Sequence, residues 1–443
     1  MRKTPLESWI RDKIACNAGE LLTRDRIEAY QLEKLRETVA YARRMSPFYR
    51  ASLAGVDGRK LEDFRTFSEV PFTTSDDIRS DGLKMLCTSQ DEIERVVTLQ
   101  TSGTTGESKR LFFTAEDLEL TVDFFRHGMA TMVEPGATVI IFLPGERPDS
   151  VGDLLSRGLV RLGVKPVVRG PVRDLAAERA EILRHASPCL VGIPTQILAL
   201  ARGDAGKTIP SGWVKSVLLS TDYVPAAIEQ ELVRLWGCRV FTHYGMTETG
   251  LGGGVECEAC DGYHLREADL YTEIIDPETG RPLPDGTPGE VVFTTLTRQG
   301  MPLLRYRTGD LARILPTPCL CGTVLKRLGR VQGRIAATLP LQQGFTIGMA
   351  ALDEALFPIA GVLNFSAEVS ENDGQDQLHI CLQVCDGEEE RVARMIVATL
   401  FQNEALAPLF QQKVLTVGSV TFNREGWSSN GTVKRQIRDS RFK

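Results

Sequence analysis

The sequence predicts an α/β protein: a large N-terminal α/β domain with parallel-type sheets plus an antiparallel β section, residues 1–334, followed by a small α+β domain, residues 335–443. Three observations lead there. Strand-like apolar runs alternate with amphipathic helical runs between residues 137 and 244, the texture changes after Tyr271 to short strands and tight turns, and a separate set of strands with one helix occupies residues 361–422. Alternation of the first kind marks parallel strands covered by helices.

Taken in order, the first helix spans residues 26–44, where Ile27, Tyr30, Leu35, Val39 and Ala42 recur at a period near that of one buried helical face. Ser46-Pro47 ends it. Residues 94–99, rich in Val and Ile, form a strand that delivers a Thr/Ser/Gly loop; apolar character resumes at 111–113, and 115–128 is helical. Strand character follows at 137–143, 165–169, 189–193, 214–220 and 239–244, and helical character at 153–162, 174–186 and 226–236. Ligands of such sheets sit beyond the carboxyl ends of strands, so the loops after Leu99, Ser220 and Phe241 are the places to look. From Tyr271, turns at Asp276-Pro277, Pro284-Asp285-Gly286 and Pro288-Gly289 indicate antiparallel strands. The last unit has strands at 361–369, 377–384 and 413–422 and a helix at 388–401.

Composition narrows the function. A chain of 443 residues is long enough for two or three cores, and 42% hydrophobic with 25% charged residues is that of a folded protein. The net charge of −6 argues against a nucleic-acid partner, which would need clustered Lys and Arg. Apolar runs such as 139–143 fall far short of the roughly 20 residues that cross a bilayer, and the first ten residues lack the apolar core of a secretion signal. A cytoplasmic protein without membrane partners is expected. There, ten cysteines are not a disulfide framework but buried thiols or metal ligands.

Two residue clusters carry chemistry. Thr101-Ser102-Gly103-Thr104-Thr105-Gly106-Glu107-Ser108-Lys109 packs hydroxyls around two glycines and ends in a lysine, a composition that lets backbone N–H groups, hydroxyls and an ammonium meet phosphate oxygens. The Walker spacing is absent, and a Ser/Thr/Gly run also makes a plain surface loop. Cys257, Cys260, His264, Cys319 and Cys321 offer five ligands in two short clusters, where a structural Zn²⁺ takes four. Free thiols are the alternative. Cys16, Cys87, Cys189, Cys238, Cys381 and Cys385 are scattered and read as core residues, and His127, His185 and His379 as structural.

The 101–109 segment resembles the phosphate loop of the adenylate-forming superfamily, which comprises acyl-CoA synthetases, peptide-synthetase adenylation domains and luciferases. Further motifs match in order: Tyr244-Gly245-Met246-Thr247-Glu248 resembles its YGxTE motif, Tyr306-Arg307-Thr308-Gly309-Asp310 its Y-x-T-G-D motif, and Gly431-Thr432-Val433-Lys434-Arg435 its carboxy-terminal lysine motif. Within that superfamily the chain looks most like phenylacetate-CoA ligases, on Glu37 to Ala42, Ser46 to Arg50, Val70 to Thr74 and Thr294 to Leu303; the likeness thins between about residues 140 and 210.

The resemblance implies ATP-dependent activation of a small carboxylic acid through an acyl-adenylate, then thioester formation with coenzyme A. It implies that Thr101, Ser102, Gly103, Thr104, Thr105, Gly106 and Lys109 hold the triphosphate, that Thr247 meets the α-phosphate, and that Glu248 helps to hold Mg²⁺. Asp310 would take the ribose hydroxyls, with Arg334, or else Arg330, assisting; Ser220 to Tyr223 and Tyr244 with Gly245 and Met246 would border the adenine, and His243 the acyl pocket. Lys434, on a mobile small domain, would hold phosphate and carboxylate oxygens during adenylation. Of the five metal-ligand candidates, the likeness of Cys319-Leu320-Cys321-Gly322 to the Cys-Pro-Cys-Gly of relatives selects Cys257, His264, Cys319 and Cys321 for zinc, with Cys260 in reserve. Relatives are often dimers, which extends the expectation to a homodimer. Where relatives carry a polar hinge this chain reads Ile335-Ala336-Ala337, which bears on the thioester step. Two other readings stay open: an adenylyl-transferring enzyme with no CoA step, and a zinc-braced nucleotide-binding protein that has lost catalysis.

Overall fold

The computed structural model describes residues 1–14, 20–99, 108–203, 209–335, 338–423 and 435–441. The chain forms two compact units, one of Met1–Glu134, Arg147–Gly163 and His243–Gln332, the other of Pro135–Glu146, Val164–Thr242 and Gly333–Lys443.

In the first unit the helix Arg24–Met45 buries Ile27, Leu35, Val39 and Ala42, the face read from the sequence. Thr23 caps its start, and Ser46 leaves the helix in an extended conformation, as a residue before proline must. An additional helix, Pro5–Lys13, buries Leu6, Trp9 and Ile10 and is tied down by Lys13 to Asp269 at 2.6 Å and by Trp9 Nε1 donating to Asp123 at 2.6 Å. The strands Ile93–Leu99 and Lys109–Thr114 pair antiparallel with Leu99 opposite Lys109 in a two-stranded sheet of their own, apart from the parallel sheet. Helix Ala115–Met129 follows, started by a reciprocal Thr114–Asp117 cap. Leu270–Ile275, Gly289–Thr295 and Tyr306–Ala312 make the expected antiparallel sheet. A short antiparallel ladder joins the end of strand Arg239–Tyr244, at His243 and Tyr244, to Gly254–Glu256, Tyr263–Leu265 and Arg327–Leu328.

The second unit holds parallel strands in the order Lys165–Val168, Thr138–Phe142, Cys189–Gly192, Ser216–Leu219 and Arg239 onward. Cys189–Gly192 and Ser216–Leu219 are buried throughout, as central parallel strands are. Val362–Asn372 and Gln375–Val384 pair through Asp373-Gly374, both at positive φ, which is the backbone a two-residue hairpin requires. Leu415–Phe422 lies parallel to the second of them after the helix Glu389–Gln402. The apolar core of this unit is continuous from Ile140, Leu219 and Trp236 to Phe357, Phe365, Leu382 and Ile396. No helix among the described residues is long and apolar enough to cross a membrane.

Candidate active site

The turn after strand Arg239–Tyr244 sets the first part of the site. A β-carbon on Gly245 would lie 2.7 Å from both His243 Cε1 and the Leu251 carbonyl, so only glycine lets the chain turn there. Thr249 Oγ1 accepts from the Met246 N–H at 3.1 Å and donates to the Met246 carbonyl at 2.9 Å. That closes a single 3₁₀ turn, Thr247–Thr249, ended by Gly250 at φ +74°. The turn drives Glu248 inward to 5% exposure.

Three side chains from three elements meet at Glu248. Lys109, the first residue of its strand, forms an ion pair with Glu248 Oε1; Tyr306, the first residue of another strand, donates its hydroxyl to the same oxygen at 3.0 Å; and Lys109 Nζ lies 3.4 Å from the Tyr306 hydroxyl. Burial pushes the Glu248 carboxyl up, but the Lys109 charge and its hydrogen bond, helped by Tyr306, outweigh it and hold the carboxyl below the ordinary glutamate range. The group is thus a buried, ionised carboxylate. Four residues along the same face of the Tyr306–Ala312 strand, Asp310 is buried and accepts from the Tyr244 hydroxyl at 3.1 Å. Thr308 Oγ1 accepts from the Asp310 N–H at 3.0 Å and donates to the Val291 carbonyl, fixing the Thr-Gly-Asp turn with Gly309 at φ +74°.

A second cluster is entirely buried. One ligand atom each from Cys257, His264, Cys319 and Cys321 lie within 4.8 Å of one another. Cys257 Sγ and Cys319 Sγ are 3.6 Å apart, and Cys321 Sγ is 3.6 Å from His264 Nε2. Backbone N–H groups of Ala259 and Cys321 point at the sulfurs of Cys257 and Cys319. Burial, aided by the charge of Arg327, draws the His264 ring down to about 4, which keeps it neutral and able to donate a lone pair. Cys260 is exposed and outside this group.

Residues 60–297, more than half of the chain, match the family described as AMP-binding enzyme. The chain belongs to that family. Among characterised AMP-binding enzymes it is similar to the phenylacetate-coenzyme A ligases of Thermus thermophilus, 31% identical over 325 residues that cover 71% of this chain and 72% of the other, and of Escherichia coli, 29% identical over 382 residues that cover 81% and 83%. A solved structure of 2-hydroxyisobutyryl-CoA ligase in complex with R3-HIB-AMP superposes with a TM-score of 0.78 over 95% of this chain and 91% of that one, at 20% identity, which establishes the shared fold.

For this AMP-binding enzyme, the first unit brings together Lys109, Glu248, Tyr244 and Asp310 of the expected residues, with Gly245, Met246 and Thr247 in the same turn. Ser220 and Arg334 belong to the second unit: Ser220 is buried with its N–H on the Gly192 carbonyl at 3.0 Å, and Arg334 is half-buried in the two-residue strand Gly333–Arg334. Thr101, Ser102, Gly103, Thr104, Thr105, Gly106 and Lys434 lie outside the described residues, as do Ala336 and Ala337 of the altered hinge. Tyr306, to which the motif resemblance assigns no role, puts its hydroxyl on Glu248. Tyr244, expected at the adenine, has its hydroxyl on Asp310.

Proposed function

We propose that Lys109, Glu248, Tyr306, Tyr244 and Asp310 are the nucleotide-binding residues of an AMP-forming acid–coenzyme A ligase. The enzyme activates a carboxylic acid with ATP: a carboxylate oxygen bonds to the α-phosphorus, the bond to the β-phosphate oxygen breaks and pyrophosphate leaves. The CoA sulfur then bonds to the acyl carbon and AMP departs. The observation that carries the assignment is the buried Lys109–Glu248–Tyr306 group in one compact unit with the Tyr244–Asp310 pair, every member falling on a motif position.

The first step concentrates negative charge on several oxygens, so the site must supply fixed positive charge and donors. Lys109 and the 101–106 segment take the outer phosphates, Thr247 the α-phosphate, and Asp310 the ribose hydroxyls, as a carboxylate acceptor can. Tyr244 holds Asp310 in place for that task. Glu248, ionised and buried, suits Mg²⁺, a hard cation that neutralises phosphate charge when bound. The motif resemblance assigns Lys434 a positive charge specific to adenylation, and Ser220 and Arg334 further nucleotide contacts. The acid is aromatic or arylacetic, the class named by the phenylacetate-CoA ligase relatives. The protein works in the cytoplasm, as a homodimer.

Cys257, His264, Cys319 and Cys321 would hold a structural Zn²⁺. Sulfur at about 2.3 Å and nitrogen at about 2.0 Å around a tetrahedral ion sit about 3.6–3.8 Å from each other, and the 3.6 Å pairs fit. Four protein ligands leave no open position, so the ion braces the fold and takes no part in the reaction.

Acid-dependent ATP–pyrophosphate exchange, screened over aromatic, arylacetic and short aliphatic acids, tests the assignment, followed by AMP release with and without CoA. Exchange with an arylacetic acid and CoA-dependent AMP release are expected. Exchange without a CoA effect would replace the ligase with an adenylyl-transferring enzyme, and no exchange with any acid would defeat the catalytic reading.

A further inference from the structure

Two buried ion pairs of the second unit share one residue that the mechanism above does not use. Arg435 immediately follows Lys434 in the chain. Its guanidinium is 8% exposed; Nη2 donates to Asp353 Oδ2 at 2.9 Å, Nη1 lies 2.8 Å from Asp353 Oδ1, and Nε donates to Asp222 Oδ2 at 3.3 Å. The rings of Phe357 and Phe365 flank it at 5.2 and 5.4 Å. Asp353 belongs to helix Met349–Leu356, whereas Asp222 stands in the loop after strand Ser216–Leu219. One arginine therefore joins the end of the lysine motif to that loop.

The loop itself is under constraint. Thr221 sits at φ +79°, a costly conformation for a β-branched residue, and its hydroxyl is buried without a hydrogen-bond partner. Such a backbone persists only where its surroundings over-determine it. Here Arg435 holds Asp222, and Glu354, the neighbour of Asp353, accepts from the Tyr223 hydroxyl at 2.7 Å and from the Ala226 N–H at 3.1 Å. Two adjacent carboxylates on one helix thus grip the loop from both ends, one directly and one through Arg435.

We propose that Arg435, the residue that follows Lys434 in the chain, is a positioning residue for adenylation that holds the Ser220–Tyr223 loop through Asp222 and is itself held by Asp353. The proposal rests on the ligase reading above. Because it fixes an arrangement used in the first half-reaction, Arg435 acts on kcat for adenylate formation more than on ATP affinity, and it leaves thioester formation from a supplied adenylate nearly intact.

The test compares wild type with Arg435→Lys, Arg435→Met and Asp222→Asn in two assays: pyrophosphate exchange with the best acid of the panel, and CoA thioester formation from that acid's synthetic adenylate. For Arg435→Met, exchange kcat should fall roughly 10- to 100-fold, the scale of a small misplacement of reacting groups, with the KM for ATP and the thioester assay changed by less than about threefold; Arg435→Lys should recover part of the loss. Asp222→Asn, which leaves Arg435 on Asp353, should fall less and in the same selective pattern, and it decides the matter if Arg435→Met does not fold. Unchanged exchange in the folded variants, or equal losses in both assays, would overturn the proposal. Wild type without exchange on any acid would overturn the ligase reading first, and this proposal with it.

Discussion

Burial and charge pull Glu248 in opposite directions, and Lys109 with Tyr306 decides the contest in favour of the carboxylate. Glu248→Gln should therefore cut pyrophosphate exchange by roughly 10²–10³, the usual loss of a preorganised charge, while Tyr306→Phe, which removes one hydrogen bond to that carboxylate and leaves the Lys109 charge in place, should cost less, roughly 10- to 100-fold. Equal effects of the two would argue that Tyr306, not the carboxylate, is the functional group. His243 offers a pH test. Burial draws its ring down to about 4 against a backbone hydrogen bond with Leu251. An unfolded histidine titrates near 6.5, so between about pH 4 and 6.5 the unfolded chain binds the extra proton and stability falls as pH falls. The loss is on the order of 3 kcal/mol across that window, and in urea titrations His243→Asn should show a shallower decline than wild type. Parallel declines would mean that the ring protonates within the fold. At this scale the sequence was informative about identity and silent about pairing. Glu248, Lys109 and Asp310 could be named from motifs, but no spacing says that Lys109 meets Glu248 across 139 positions or that the Tyr244 hydroxyl meets Asp310 across 66.

Elements show a sharper division. The helix Arg24–Met45, the parallel strands and the Val362–Asn372 hairpin announce themselves through period, β-branched runs and turn chemistry, because their own residues carry the signal. The helices Pro5–Lys13 and Met349–Leu356 and strands of two or three residues do not; at nine and eight residues the helices are too short to show a period, and they are held by tertiary partners such as Asp269 and Asp123. The Cys/His group lies between these cases. Its members were named in advance, and the ladder that pairs Val255 with His264 and His264 with Arg327 is what gathers them. We expect elemental analysis of purified protein to find about one zinc per chain. Cys319→Ser should lose the metal and lower the thermal midpoint by several degrees, since a ligand bound only to the folded state stabilises it by mass action. A metal-free protein of undiminished midpoint would leave three free thiols beside a neutral imidazole. Gly245→Ala should be destabilising by more than about 1 kcal/mol in urea unfolding, as overpacking commonly is, because both groups 2.7 Å from its new methyl belong to the same turn.

On the scale of the whole molecule, the chain is an AMP-binding enzyme whose ordered motifs run from residue 101 to residue 435. Lys434→Ala should reduce pyrophosphate exchange by more than about two orders of magnitude with the urea midpoint unchanged; full exchange in that variant would remove the lysine from the mechanism. The sequence by itself determined the α/β class, the family and the identity of most candidate site residues, because those rest on local periodicity and on side-chain types at short spacing. Tertiary structure alone decided which charges neutralise which: Lys109 on Glu248, Arg435 on Asp222 and Asp353, and the sulfurs of Cys257 and Cys319 side by side. It also decided that Ile93–Leu99 and Lys109–Thr114 pair with each other, and that apolar residues between Leu341 and Leu415 join one core with those of the parallel strands. The physical reason is common to all of these. Burial and through-space charge depend on the distances between elements, and no local pattern encodes a distance between residues far apart in the chain.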